Sequence, residues 1–265
     1  MRRITTPALA CAVACLAFAS TAFAAAVPNS AVLHTRVFND CPISSLSTTN
    51  LFPGLININD QNAVPPFCAG FANLHTWRFS TDGTNAEQFI NGDTFEYSAT
   101  LTLNGVGEGG LSLAPWWSPD PDGLFNVRTT DGEIACFGGR LPFFSFTGAF
   151  GLHYVNNTQI QLGISYLPNG LSSVSPAAVV YNLRYAGTNY TSGLLNFDQG
   201  NPAEDPPHGQ WGALTPWYAG GHMKMFVQIL GQPHGITGTW SDIQYTSGPT
   251  PTTKSSWGQI KKLYR

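Results

Sequence analysis

The sequence predicts an all-β protein, an antiparallel β-sandwich carrying a short tethered C-terminal helix, and three observations support that reading. Charged residues make up 10% of the chain, while 28 glycines and 19 prolines punctuate it, a composition of many strands and many turns. Phe95, Tyr97, Ala99, Leu101 and Leu103 alternate with Thr94, Glu96, Ser98, Thr100 and Thr102, the period of a strand with one face buried and one face wet. No helical pattern of three turns occurs before residue 250.

The chain opens with Met1-Arg2-Arg3, runs through apolar Ala8 to Phe18 and reaches Ala22-Phe23-Ala24. That is the layout of a secretory signal peptide over residues 1–24, cleaved after Ala24. The run falls short of the roughly 20 apolar residues that a membrane span needs, and Cys11 and Cys15 match a lipoprotein box poorly. No later stretch is long and apolar enough to cross a bilayer. The expected product is secreted, extracellular or held at the cell surface, with periplasmic retention as the alternative. Between Ala25 and Thr253, Arg36, Arg78, Arg128, Arg140, Arg184 and Lys224 face fifteen acids, a formal balance of −9. Such a body is a poor partner for nucleic acid, whose phosphates require clustered Lys and Arg.

Removing the leader leaves Cys41, Cys68 and Cys136, in a compartment where disulfides form. Cys41 and Cys68 flank a loop-rich segment, and a bridge between them is expected to contribute about 3 kcal/mol. Cys136 reads as a buried small hydrophobe. Three irregularly spaced cysteines make a poor zinc site.

Residues 25–247 are expected to form one sandwich domain. From 25 to 75, short apolar pieces are interrupted by Pro42, Pro53, Pro65 and Pro66, so strands there should be short or lie at a sheet edge. Asp82-Gly83 and Asn91-Gly92 are turn signals. Asp131-Gly132 predicts a two-residue type I′ hairpin that sets Val127 across from Cys136 and Thr129 across from Ile134. Residues 151–155 and 160–166 read as a second hairpin around Asn156-Asn157. A strict two-residue loop would mismatch their apolar faces, so a longer loop or a bulge is expected. Val179, Tyr181, Leu183 and Tyr185 mark a strand, residues 198–218 form the longest unpatterned loop, and 223–230 and 239–245 close the domain.

The aromatic strand around Phe95 and Tyr97, the Gly110-Leu111-Ser112-Leu113 piece and the closing run Gly238 to Tyr245 together resemble the concanavalin A-like jelly roll. That group includes legume lectins, laminin G-like domains and bacterial glucanases, and the resemblance spans roughly residues 75 to 246. It implies a sugar-binding or sugar-cleaving sandwich. Retaining glucanases of this kind carry paired carboxylates about 5 to 5.5 Å apart on one strand, and no such spacing occurs here. Alginate-lyase-like sandwiches carry an Arg-rich strand and a Gln-Ile-His strand. Neither appears, although Gln228-Ile229-Leu230 is a distant echo.

Catalytic candidates are therefore confined to the loop residues Glu204, Asp205 and His208, a set that is equally a solvated loop. Asp131 and Glu133 read as turn residues, and Glu108 has no visible partner. Asp120 and Asp122 precede Gly123 in a pattern that suits calcium, the one cofactor the sequence suggests, although a plain turn fits the residues better. The more telling set is Trp116, Trp117, Arg140, Trp211, Trp217 and Tyr218. Flat aromatic faces stack on sugar rings while loop polar groups orient the hydroxyls. Trp240, on its strand, reads as core. The sequence thus favours a carbohydrate-binding or surface-adhesion sandwich without catalysis, whose partner is a polysaccharide or cell-surface glycan. A polysaccharide hydrolase or lyase is the alternative, and a structural component of an extracellular matrix is a third reading.

Gly248 to Thr253 is a stiff Pro/Thr linker. Residues 254–265 then place Trp257, Ile260 and Tyr264 three and four apart, with Lys254, Lys261, Lys262 and Arg265 adding four positive charges and no acid. This basic amphipathic tail resembles short C-terminal segments of secreted proteins of some Gram-negative-type bacteria. The likeness implies a partner in sorting machinery or an anionic surface.

Overall fold

A computed structural model of the chain describes residues 27–70, 72–113, 123–139, 141–197, 211–213, 216–227 and 231–248. The leader and the tail lie outside these residues. In chain order the strands are β1 (Ser30–Asn39), β2 (Ser45–Leu51), β3 (Leu55–Asn62), β4 (Ala72–Ser80), β5 (Phe95–Gly105), β6 (Gly107–Leu113), β7 (Leu124–Arg128), β8 (Ile134–Phe137) and β9 (Phe144–Ser145). A five-residue helix α1 (Phe146–Phe150) follows, then β10 (Gln159–Leu167), β11 (Ala178–Tyr185), β12 (Thr188–Thr191), β13 (Leu195–Asn196), β14 (Ala219–Phe226) and β15 (His234–Ser247).

The strands form two antiparallel sheets packed face to face as a sandwich. One has seven strands in the order β1-β4-β14-β6-β7-β8-β9; the other has eight, in the order β12-β11-β10-β5-β15-β3-β2 with β13 added to β11. Of the strands expected to be short or at an edge, β1 and β2 lie at edges, whereas β3, eight residues long, lies inside its sheet between β15 and β2. The alternating strand β5 lies in the middle of its sheet, and Phe95, Tyr97, Ala99, Leu101 and Leu103 turn their buried face to the core. From the facing sheet, Trp77, Phe79, Leu111, Phe125 and Val127 meet that face. Trp77 and Trp240 touch edge to face at 6.2 Å, and Trp240 Nε1 donates to the Gly110 carbonyl at 3.1 Å. Burying each such aromatic side chain contributes roughly 3 kcal/mol.

Two local expectations are corrected. The hairpin pairs Val127 with Ile134 and Phe125 with Cys136, and Arg128 N donates to Glu133 O at 2.9 Å, so its loop holds the four residues 129–132 rather than two. A type I′ turn needs positive φ at both central positions, and of Asp131 and Gly132 only Gly132 has it, at 76°. Asp131 instead caps the loop. Its carboxylate takes a fork from Arg128 and accepts from Glu133 N, while Thr129 N bonds Gly107 O at 2.9 Å. Residues 151–155, read as a strand, are not one. Ser145 caps α1 through Gly148 N, and Gly151 ends it at φ 66°. The chain then docks Asn156 and Asn157 onto the end of β5.

Cys41 and Cys68 are joined by a disulfide. Beneath it, Asn73 Nδ2 donates to Asp60 Oδ2 at 2.9 Å. His75 Nδ1 accepts from Arg36 N, so its Nε2 carries the proton that meets Asp60 Oδ2 at 2.8 Å. Burial works against ionisation of Asp60, yet its hydrogen bonds from His75, Ser44 and Asn73 hold the carboxyl below the usual range. Cys136 is a fully buried thiol whose pKa burial pushes well up. Among the described residues, no helix is long and apolar enough to cross a membrane.

Candidate functional site

Each strand of the seven-stranded sheet sends alternate side chains to the core, so the intervening ones face away from the other sheet. On β4, β14, β6 and β7 these outward positions line up in three ranks by strand register. Arg78, Gly220, Ser112 and Leu124 form the first; Thr76, His222, Gly110 and Asn126 the second; Leu74, Lys224, Glu108 and Arg128 the third. An outward face is ordinarily solvated. Here Arg78, Thr76, His222, Asn126, Ser112 and Glu108 are all buried, which concentrates polar chemistry in a low-dielectric setting.

The central members form one relay. Lys224 Nζ donates to Glu108 Oε1 at 2.8 Å, Asn126 Nδ2 donates to Glu108 Oε2 at 3.0 Å, and His222 Nε2 lies 2.9 Å from Asn126 Oδ1. Because the Asn126 amide points its nitrogen at the carboxylate, its oxygen is left to accept, and His222 carries its proton on Nε2. The other ring nitrogen is an acceptor. Among the described residues it has no hydrogen-bond partner, and the hydroxyls of Thr76 and Ser112 are likewise buried without partners. Burial presses the His222 pKa down to about 4; Glu108 opposes this and Lys224 adds to it. For Glu108, burial works against ionisation, but Lys224 outweighs it and holds the carboxyl below its usual range. The imidazole is therefore neutral at physiological pH, and the carboxylate is charged.

Most residues singled out from the sequence are not among those the structure describes. Trp116, Trp117, Asp120, Asp122, Arg140, Glu204, Asp205, His208, Trp257, Ile260 and Tyr264 fall outside the described residues. Among the described residues no group of His, Cys, Asp and Glu is arranged to hold a metal ion. Trp211 is half-buried, with a left-handed backbone at φ 65° and its carbonyl bonded to Ala177 N. Reading Trp217 as a stacking platform is corrected. Its backbone pairs with Phe89 and its ring is fully buried, 6.2 Å from Tyr166, so it is a core residue. Tyr218 does reach the site: the Arg78 guanidinium lies 5.0 Å over its ring, and its hydroxyl accepts from Gln88 Nε2.

Sequence reasoning missed the relay. It left Glu108 without a partner, whereas Lys224 and Asn126 both hold it. A signal existed, since His222 and Lys224 alternate with Met223 and Met225, and Asn126 and Arg128 with Phe125 and Val127. That period identifies polar faces but not which strands adjoin.

Neither a protein-family model nor a curated protein matches the chain. Among solved structures it is similar to a family 7 alginate lyase in complex with substrate, at 9% identity and a TM-score of 0.43, covering 77% of this chain and 81% of that one. It is similar to a Lotus tetragonolobus seed lectin at 11% identity and a TM-score of 0.41, covering 84% and 96%. An alginate lyase from Chlorella virus stands at 10% and 0.40, covering 77% and 90%.

Proposed function

We propose that this protein is a secreted carbohydrate-binding sandwich that recognises a polysaccharide on the outward face of its seven-stranded sheet. The observation that carries this reading is the second rank. A neutral imidazole nitrogen and the Thr76 hydroxyl, with the Ser112 hydroxyl beside them, are buried without partners next to an oriented amide. Buried polar atoms require hydrogen bonds, and sugar hydroxyls, each both donor and acceptor, supply them. Arg78 on the first rank adds a cation that suits a carboxylate-bearing sugar. Trp116, Trp117 and Arg140, which lie between or just beyond β6, β7 and β8 in sequence, complete the proposed binding set. The Cys41–Cys68 bridge supports an oxidising compartment, in keeping with the N-terminal leader.

A second reading, a polysaccharide hydrolase or lyase, is favoured by the convergence of His222, Asn126, Glu108 and Lys224 in one relay. Against it, a base with a pKa of about 4 is poorly matched to proton abstraction at neutral pH. Affinity electrophoresis through alginate, polygalacturonate and hyaluronan, run beside reducing-end and unsaturated-product assays, separates the readings. Retardation without product, weakened in His222→Ala and Asn126→Ala, is the expected result. Product formation abolished by His222→Ala establishes the second reading. No retardation and no product overturns both.

A further inference from the structure

The opposite face of the molecule carries an open groove of about 480 Å³ on the outward side of the eight-stranded sheet. Its floor is a single row across five strands, Gln244, Ser98, Gly163, Asn182 and Thr191, each in register with the next. Gln161 and Asn189 stand one rank away. Gly163 makes the depression, because the floor there has no side chain between Ser98 and Asn182. Unlike the relay on the other sheet, this surface is open, with Asn182, Asn189, Thr191 and Gln244 all exposed.

We propose that this groove is a second glycan-binding site, one that takes an uncharged polysaccharide lying across the strands. Neighbouring strands are about 4.8 Å apart, close to the length of one pyranose residue, so successive sugars meet successive strands and find an amide or hydroxyl on each. The lining is balanced in charge, with Glu96 and Arg184 the one acid and one base, so an ionic ligand gains nothing there. None of the exposed large hydrophobic side chains lines it, whereas the centre of a protein–protein interface is apolar and rich in aromatic anchors. Tyr190, in register with the core-facing Leu183, turns its ring away from the groove and against Phe150 at 5.2 Å. Amides and hydroxyls form a lining whose donors and acceptors match those of sugar hydroxyls. Together with the proposed site on the seven-stranded sheet, this groove would let one molecule bridge two chains.

Affinity electrophoresis of the intact protein through dextran, galactomannan, arabinoxylan and mixed-linkage β-glucan tests the groove directly. At least one should retard the protein, and high salt should leave the effect intact, because no ion pair contributes. Gly163→Gln should abolish it by filling the floor. The added Cβ meets Ser98 Cβ at 3.5 Å and Asn182 Cβ at 3.7 Å, ordinary contacts that the sheet tolerates. Asn182→Ala should weaken binding about tenfold. If Gly163→Gln lowers the melting temperature, the exposed substitutions Asn182→Ala and Gln244→Ala decide. Absence of retardation by all four polymers overturns the inference, as does retardation that none of these variants weakens. Loss in Asn126→Ala with Gly163→Gln unaffected also overturns it, while upholding the site on the other sheet.

Discussion

His222 Nε2 lies 2.9 Å from Asn126 Oδ1, and the Asn126 amide nitrogen is committed to Glu108, so this one contact fixes the tautomer of a buried imidazole. The folded pKa is about 4, against 6.5 for the free side chain. Between these values the unfolded chain binds a proton that the folded chain refuses. The stability linked to this group is therefore fully present above about pH 6.5 and falls away as pH drops towards 4, by about 3 kcal/mol. His222→Gln should remove that part of the acid sensitivity in urea unfolding compared at neutral and acid pH. An imidazole resonance of His222 that titrates near 6.5 would contradict the arrangement.

Lys224 is the cation that keeps the buried Glu108 ionised. Lys224→Met alone should destabilise the protein by about 3 kcal/mol in chemical denaturation, since a buried carboxylate is left without its counterion. Adding Glu108→Gln should restore most of that loss. A double-mutant cycle with no coupling between the two sites would show the pair to be energetically idle.

The Cys41–Cys68 bridge closes a sequence separation of 27 residues, for which chain entropy gives about 3.5 kcal/mol. Cys41→Ala with Cys68→Ala should lower stability by roughly that amount, and reducing agent should do the same to the wild type. Cys136, buried, should stay unmodified by thiol reagents until the protein unfolds.

Two glycines separate backbone strain from steric clash. Gly132 and Gly231 both have φ 76°, but a Cβ on Gly132 meets Tyr154 backbone atoms at 2.8 and 2.9 Å, while one on Gly231 meets nothing within 4 Å. Gly231→Ala should cost about 1 kcal/mol for the left-handed conformation. Gly132→Ala should cost at least about twice that, read from thermal unfolding.

Strand β15 pairs through Ser247, and Gly248 N bonds Thr94 O at 3.0 Å, so the sheet takes in the first residue of the expected linker. Deleting residues 249–265 should leave the melting temperature unchanged while altering secretion or surface retention. A truncated protein that melts several degrees lower yet localises normally would make the tail part of the fold.

The sequence by itself determined the layers. Period-two alternation in β5 and β11 is local physics, readable because a strand with one wet face must place its apolar residues at every second position. The edge positions of β1 and β2 and the buried character of Cys136 followed from equally local rules. What tertiary structure decided was adjacency. Glu108, Asn126, Lys224 and His222 are up to 116 residues apart, and they meet because β14 inserts between β4 and β6. Register behaved in the same way: Asp131-Gly132 marked the turn, but Arg128 and Thr129 drew the chain into a longer loop through contacts with Asp131 and Gly107. Trp217 looked like a loop aromatic until its bridge to Phe89 placed it in the core. Side-chain pattern is written along the chain, whereas the pairing of strands is selected by the packing of all of them at once, and the candidate sites on both faces depend on that pairing.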